Sequence, residues 1–196
     1  MPYTIVLTPS SEQAIKYVEA SQTLYSDYQP NYLLTRDGTS SPHITVVQFE
    51  CESYDLAHQV WTKVHEKISK ENIIPFSPPF VGIAFVEGVG PYKNTTWVEL
   101  SVKRGDKNSP IMKVQYAALE ALEQFGLKPL NACDNDYRPH LTLARITLPE
   151  QIKTWPKNLC EDSGNFKLEF GLSDDKWQYM HTLETFPEGN ETFNRK

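Results

Sequence analysis

The chain has 196 residues, enough for one well-packed domain or two small lobes. Its 39% hydrophobic and 22% charged residues are ordinary for a globular protein, and no run approaches the ~20 apolar residues of a membrane span. A formal charge of −6 argues against the broad basic surface that tracks an extended nucleic acid, while leaving room for a pocket that takes one phosphate or a strand end.

Tyr3 to Thr8 is a short apolar run and reads as a first strand. Ser10 to Tyr28 then carries Ala14, Tyr17, Val18, Ser21, Leu24 and Tyr25 on one helical stripe, with Ser10 and Gln13 spaced as a capping box. A polar loop, Gln29 to Ser41, leads into a strand that begins at His43. Leu56, Val60, Trp61, Val64 and Ile68 form a second amphipathic stripe, followed by a strand from Phe80 to Glu87. Thr96 to Lys103 is the next strand, with Trp97, Glu99, Ser101 and Lys103 on one face and Val98, Leu100 and Val102 on the other. Ser109 to Phe125 reads as a helix, with Pro110 in its first turn and Gly126 as its stop. The loop from Leu127 to Arg138 leads to the strand carrying His140. Pro149 to Trp155 suits a short helix and Asn165 to Leu172 a strand. Trp177 to Thr185 closes the chain as an antiparallel strand after the Ser173-Asp174-Asp175 turn.

The same order occurs twice: strand, helix, loop, histidine strand, helix, strand. His43 lies 40 residues after Tyr3, and His140 lies 44 after Thr96. This predicts one α+β domain over 1–196 with two pseudo-symmetric lobes, roughly 3–90 and 96–185, and antiparallel sheets around a central cleft.

Two tetrapeptides ninety-seven residues apart mark equivalent places in the two halves: His43-Ile44-Thr45-Val46 and His140-Leu141-Thr142-Leu143. Side chains alternate along a strand, so each His and Thr share one face while the apolar residues between them enter a core. One such strand is common and means little. Two of them can bring a pair of imidazoles and a pair of hydroxyls around one small polar substrate. Histidine titrates near neutrality, so one ring can be neutral while the other is protonated. A neutral imidazole takes a proton from water or a ribose hydroxyl, and an imidazolium protonates a departing oxygen. Thr45 and Thr142 can donate hydrogen bonds to non-bridging phosphate oxygens. None of these roles calls for a metal or another cofactor.

The segments Ser41-Pro42-His43-Ile44-Thr45-Val46 and Arg138-Pro139-His140-Leu141-Thr142-Leu143-Ala144-Arg145 resemble the 2H phosphoesterase superfamily. The second segment is most similar to its bacterial 2′-5′ RNA ligase/cyclic phosphodiesterase branch. The likeness implies a bilobal fold with a central cleft and metal-free hydrolysis of 2′,3′-cyclic phosphates or 2′-5′ linkages. It implies His43 and His140 as acid and base, Thr45 and Thr142 as phosphate ligands, and an RNA terminus or small nucleotide as substrate. Two other readings stay open: 2′-5′ RNA ligation, which is the reverse chemistry, and a non-catalytic module that binds a nucleotide or RNA end.

Around the motifs, Arg138 shares the face of His140 if the strand extends that far, and is a candidate substrate contact or a solvated loop residue. Strand parity puts Arg145 with Leu141 and Leu143, away from the histidines, unless a bulge re-aims it; a salt bridge at the strand end is expected. Tyr137 suits packing at the lobe edge more than stacking on a base. Trp97, Trp177 and Tyr179 are candidates for a base-stacking wall or for core positions. His58, His65 and His181 lack metal-ligand spacing and read as structural or solvated; Lys103, Arg104 and Lys107 read as a solvated basic turn. Cys51, Cys133 and Cys160 are odd in number and show no metal-ligand spacing, and Met1 to Ser10 has no basic region followed by an apolar run. The expectation is a cytoplasmic protein with reduced thiols, away from membranes and extended duplexes. Without a heptad repeat or long apolar tail, a monomer is expected.

Overall fold

A computed structural model describes residues 2–28, 34, 40–88, 93–147, 156–174 and 177–186. The expected helix at 149–155, and most of the loop at 29–41, lie outside these residues. The described residues include seven strands and three α-helices: β1 Pro2–Pro9, α1 Ser11–Tyr28, β2 Ile44–Glu50, α2 Tyr54–Glu71, β3 Phe80–Glu87, β4 Thr96–Val102, α3 Pro110–Gln124, β5 His140–Ile146, β6 Phe166–Ser173 and β7 Tyr179–Thr185. The helix starts follow from their caps. Ser10 Oγ accepts from Gln13 N–H at 3.3 Å, Ser53 Oγ accepts from Leu56 N–H at 3.4 Å, and Pro110 opens α3. Gly126, at φ +67°, provides the left-handed residue beyond the end of α3.

The strands form one antiparallel sheet in the order β3-β4-β5-β2-β1-β6-β7. The two sequence repeats do not segregate within it. The third strand of each crosses over: β3 pairs with β4, and β6 pairs with β1. Exchanging β1, β2 and β3 for β4, β5 and β6 reverses the order of those six strands and leaves it otherwise unchanged. The centre of that exchange falls between β2 and β5, where Ile44 sits opposite Leu141.

One face of the sheet is apolar. Ile5, Leu7, Ile44, Val47, Leu100, Leu141, Leu168 and Phe170 are buried on it and held by the helices. Trp61 of α2 stacks on Phe170 at 5.8 Å, Tyr17 of α1 meets Phe80 and Phe166, and Ser21 Oγ of α1 donates to the Leu143 carbonyl at 2.6 Å. Among the described residues, no helix is long and apolar enough to cross a membrane.

Candidate functional site

The central strand pair sets the site. Continuing the antiparallel register from Ile44 and Leu141 places His43 opposite Thr142 and Thr45 opposite His140. Ile44 and Leu141 are fully buried in the helix-side core, so by strand alternation the other four residues lie together on the opposite face. All four are half-buried rather than sealed. The structure therefore assembles the four residues that the sequence motifs singled out.

Both imidazoles are held in the same way. His43 Nδ1 lies 2.7 Å from the Ser41 carbonyl, and His140 Nδ1 lies 2.8 Å from the Arg138 carbonyl. A carbonyl only accepts, so each Nδ1 carries the hydrogen, and each neutral ring has its lone pair on Nε2. The proline between each carbonyl and histidine favours the extended backbone that makes this two-residue reach possible.

The electrostatics of the two rings differ. Burial pushes the His43 pKa down to about 4; the Ser41 carbonyl and Glu169 pull it up, and the nearby His140 pushes it down further. His43 is therefore neutral at physiological pH. His140 Nε2 instead lies 3.4 Å from Oε2 of Glu99, a fully buried residue on β4 whose other oxygen takes a charged hydrogen bond from Arg138. With Nδ1–H committed to a carbonyl, only the imidazolium has an Nε2 proton to turn toward that carboxylate.

Arg138 thus reaches the sheet face that carries the histidines, with its guanidinium paired to Glu99 while its side chain stays half exposed. Tyr137 is buried and donates its hydroxyl to the Thr45 carbonyl at 2.8 Å, which fastens the loop before β5 to β2. Arg104 donates to the Asp134 and Asn135 carbonyls, so the basic turn braces the same loop. His58 pairs with Glu184 at 2.8 Å and His65 packs on Phe186 at 4.6 Å, both outside the cleft.

Arg145 requires a correction. Strand parity puts it behind the sheet, but β5 carries a bulge. Val98 pairs with Ala144 while Glu99 pairs with Thr142, so Leu143 is the extra residue. Beyond it the alternation flips, Arg145 pairs with Trp97, and it joins the face of Glu99 and Thr142. The side chain is buried there, its guanidinium 5.3 Å over the Trp97 ring. β2 repeats the bulge. Ile5 pairs with Val47 while Val6 pairs with Thr45, so Val46 is extra and Gln48 occupies the position corresponding to Arg145. Gln48 Nε2 donates to the Trp177 carbonyl at 2.9 Å. The apolar doublets Val46-Val47 and Leu143-Ala144 interrupt strict alternation and are the sequence signal of both bulges.

Glu99 is the functional neighbour that sequence reading placed on the correct face without giving it a role. Of the stacking candidates, Tyr179 is buried against His43 with ring centroids 5.4 Å apart, Trp97 lies under Arg145, and Trp177 is exposed. Among the described residues, no three His, Cys, Asp or Glu side chains converge as metal ligands.

No family model and no curated protein sequence matches the chain. Solved structures do match its fold. E. coli LigT in apo form is 13% identical over 94% of this chain and 96% of that one, with a TM-score of 0.55. E. coli LigT complexed with 3′-AMP is 11% identical over 93% and 94%, with a TM-score of 0.51. A structure described as a phosphoesterase is 11% identical over 93% and 95%, with a TM-score of 0.50. The chain has the fold of these proteins over nearly its whole length.

Proposed function

We propose that this protein is a 2H phosphoesterase that hydrolyses 2′,3′-cyclic phosphate or 2′-5′ phosphodiester bonds of RNA ends or small nucleotides. The observation that carries the proposal is the quartet on the central strand pair: two Nε2 atoms and two threonine hydroxyls on one face, each ring locked by the same carbonyl contact. The shared fold with a phosphoesterase and with LigT, one structure of which holds 3′-AMP, supports it.

In this reading neutral His43 takes a proton from water on Nε2 as the water oxygen attacks phosphorus. Protonated His140 gives its Nε2 proton to the departing ribose oxygen, so one proton enters and one leaves the pair. The division follows from the surroundings of the two rings. Burial keeps His43 uncharged, while Glu99 offers His140 a counter-charge. Thr45 and Thr142 donate to the non-bridging oxygens as charge gathers there, a task for preorganised donors in a partly desolvated site. Arg138 approaches the substrate from the β4–β5 side. The roles are complete without a metal, and each acid–base group contributes roughly 10²- to 10⁴-fold in rate.

Product analysis on 2′,3′-cyclic nucleotides and 2′-5′ linked dimers, in the presence of a chelator, tests this directly. Expected is one phosphomonoester product per bond cut, with turnover abolished in His43→Ala and His140→Ala and their folds intact. Turnover that survives both substitutions would remove the proposed roles. Joined product from RNA ends carrying a cyclic phosphate and a 5′-hydroxyl would indicate ligation instead.

A further inference from the structure

The mechanism leaves one buried acid on the cleft face unused. Glu169 of β6 pairs with Val6, which pairs with Thr45, so it projects from the same side of the sheet as the histidines. It is almost fully buried, with Lys167 Nζ, Tyr179 OH and Thr182 Oγ1 each 3.0 Å from its carboxylate and Thr185 Oγ1 at 3.5 Å, while Tyr179 OH and Thr182 Oγ1 lie 2.7 Å from each other. Tyr179 reaches it by lying across Gly171. A Cβ there would fall 2.7 Å from Tyr179 Cε2 and 2.1 Å from the His181 carbonyl oxygen, so only glycine lets the ring lie down. The same ring meets His43, with ring centroids 5.4 Å apart. Two strands, β6 and β7, thus cooperate to hold a carboxylate near one imidazole.

We propose that Glu169 is the counter-charge of His43, stabilising the imidazolium formed when that ring takes the water proton, with Tyr179 fixing the spacing between them. The proposal rests on the base role given to His43 above. Glu169 makes no hydrogen bond to His43 and acts as a positioning and electrostatic residue. The need for it is physical. His140, protonated to serve as acid, opposes a second positive charge nearby; the Ser41 carbonyl works in the other direction through its hydrogen bond, and Glu169 does so with a full charge. The groups facing His43 are His140 from β5, with Glu99 and Arg138 beyond it; Glu169 from β6, with Lys167 beside it; Tyr179 from β7; and the Ser41 carbonyl of its own segment. Lys167 weakens the effect of Glu169, which supplies a test of sign.

The experiment is an NMR titration of the His43 ring in the wild-type chain, Glu169→Gln and Lys167→Met, beside steady-state kinetics on a 2′,3′-cyclic nucleotide. Glu169→Gln should lower the His43 midpoint and Lys167→Met should raise it, each by about half a pH unit. Glu169→Gln should also reduce kcat by up to about threefold, the same half unit read as a rate, with KM unchanged, because the interaction exists only once the proton has moved. Midpoints that stay fixed, or that move in the same direction in both variants as a packing change would make them, overturn the proposal. The titration stands without turnover: a wild-type chain that cuts no substrate removes the reaction proposed above while the charge coupling is still decided.

Discussion

The two halves of the histidine face share a skeleton and differ in charge. Each offers a proline-led histidine, a threonine two residues on, a bulge after it and a carbonyl on Nδ1. The flanking strands then diverge. Beside β5, β4 brings Glu99 next to His140 and Trp97 under Arg145. Beside β2, β1 brings Val6 and Thr4 to the matching positions, and the acid arrives one strand further out, as Glu169. Repetition supplies the geometry, and in the proposed mechanism departures from repetition supply the division into base and acid.

Removing the carboxylate beside His140 should have the largest effect of any change to one half alone. Glu99→Gln takes away the partner of His140 and releases Arg138, and kcat should fall by about 10- to 100-fold in steady-state assays. An effect no larger than that of an exposed surface carboxylate would place the acid elsewhere.

The other side predicts a pH effect on stability. The His43 pKa in the folded chain, about 4, lies below the unfolded value of about 6.5. Between these values the unfolded chain binds the proton and the folded chain does not, so His43 costs nothing above pH 6.5 and destabilises progressively as pH falls toward 4. Denaturant unfolding of the wild type and His43→Gln should diverge by about 3 kcal/mol over that window, with the wild type losing more. Parallel curves would show that the ring is not desolvated.

Thr45→Ala and Thr142→Ala probe what the halves share. Each should cost about tenfold in kcat, the scale of one lost donor to a developing charge, and the two losses should agree within a factor of about three. A loss confined to one threonine would place the phosphate off the central axis. Tyr137→Phe should have the smallest effect, lowering stability by about 1 kcal/mol through its lost bond to the Thr45 carbonyl and leaving turnover near wild type.

Much of this was legible in the chain. Alternation fixed the face of each histidine and threonine, and equivalent placement in two repeats justified reading them together. The same parity rule put Trp97, Glu99 and Ser101 on one face of β4, opposite buried Val98, Leu100 and Val102. Parity failed at Arg145 because one inserted residue reverses every side chain after it, and a bulge shows in sequence only as the apolar pair Leu143-Ala144. The setting of Glu169 was out of reach for a different reason. It depends on β6 crossing to pair with β1, and on Gly171 giving way to a ring from β7, contacts that no local pattern encodes. The Thr45–Tyr137 fastening spans 92 residues and is equally invisible to periodicity.

The account turns on His43 and His140 serving a single phosphorus together, and a double-mutant cycle on kcat/KM for a 2′,3′-cyclic nucleotide measures that most directly. Acid and base working in one step give non-additive losses, so His43→Ala, His140→Ala and the double variant should all fall to about the same residual rate. Losses that multiply in the double variant would mean that the two rings act independently, and would contradict the shared site.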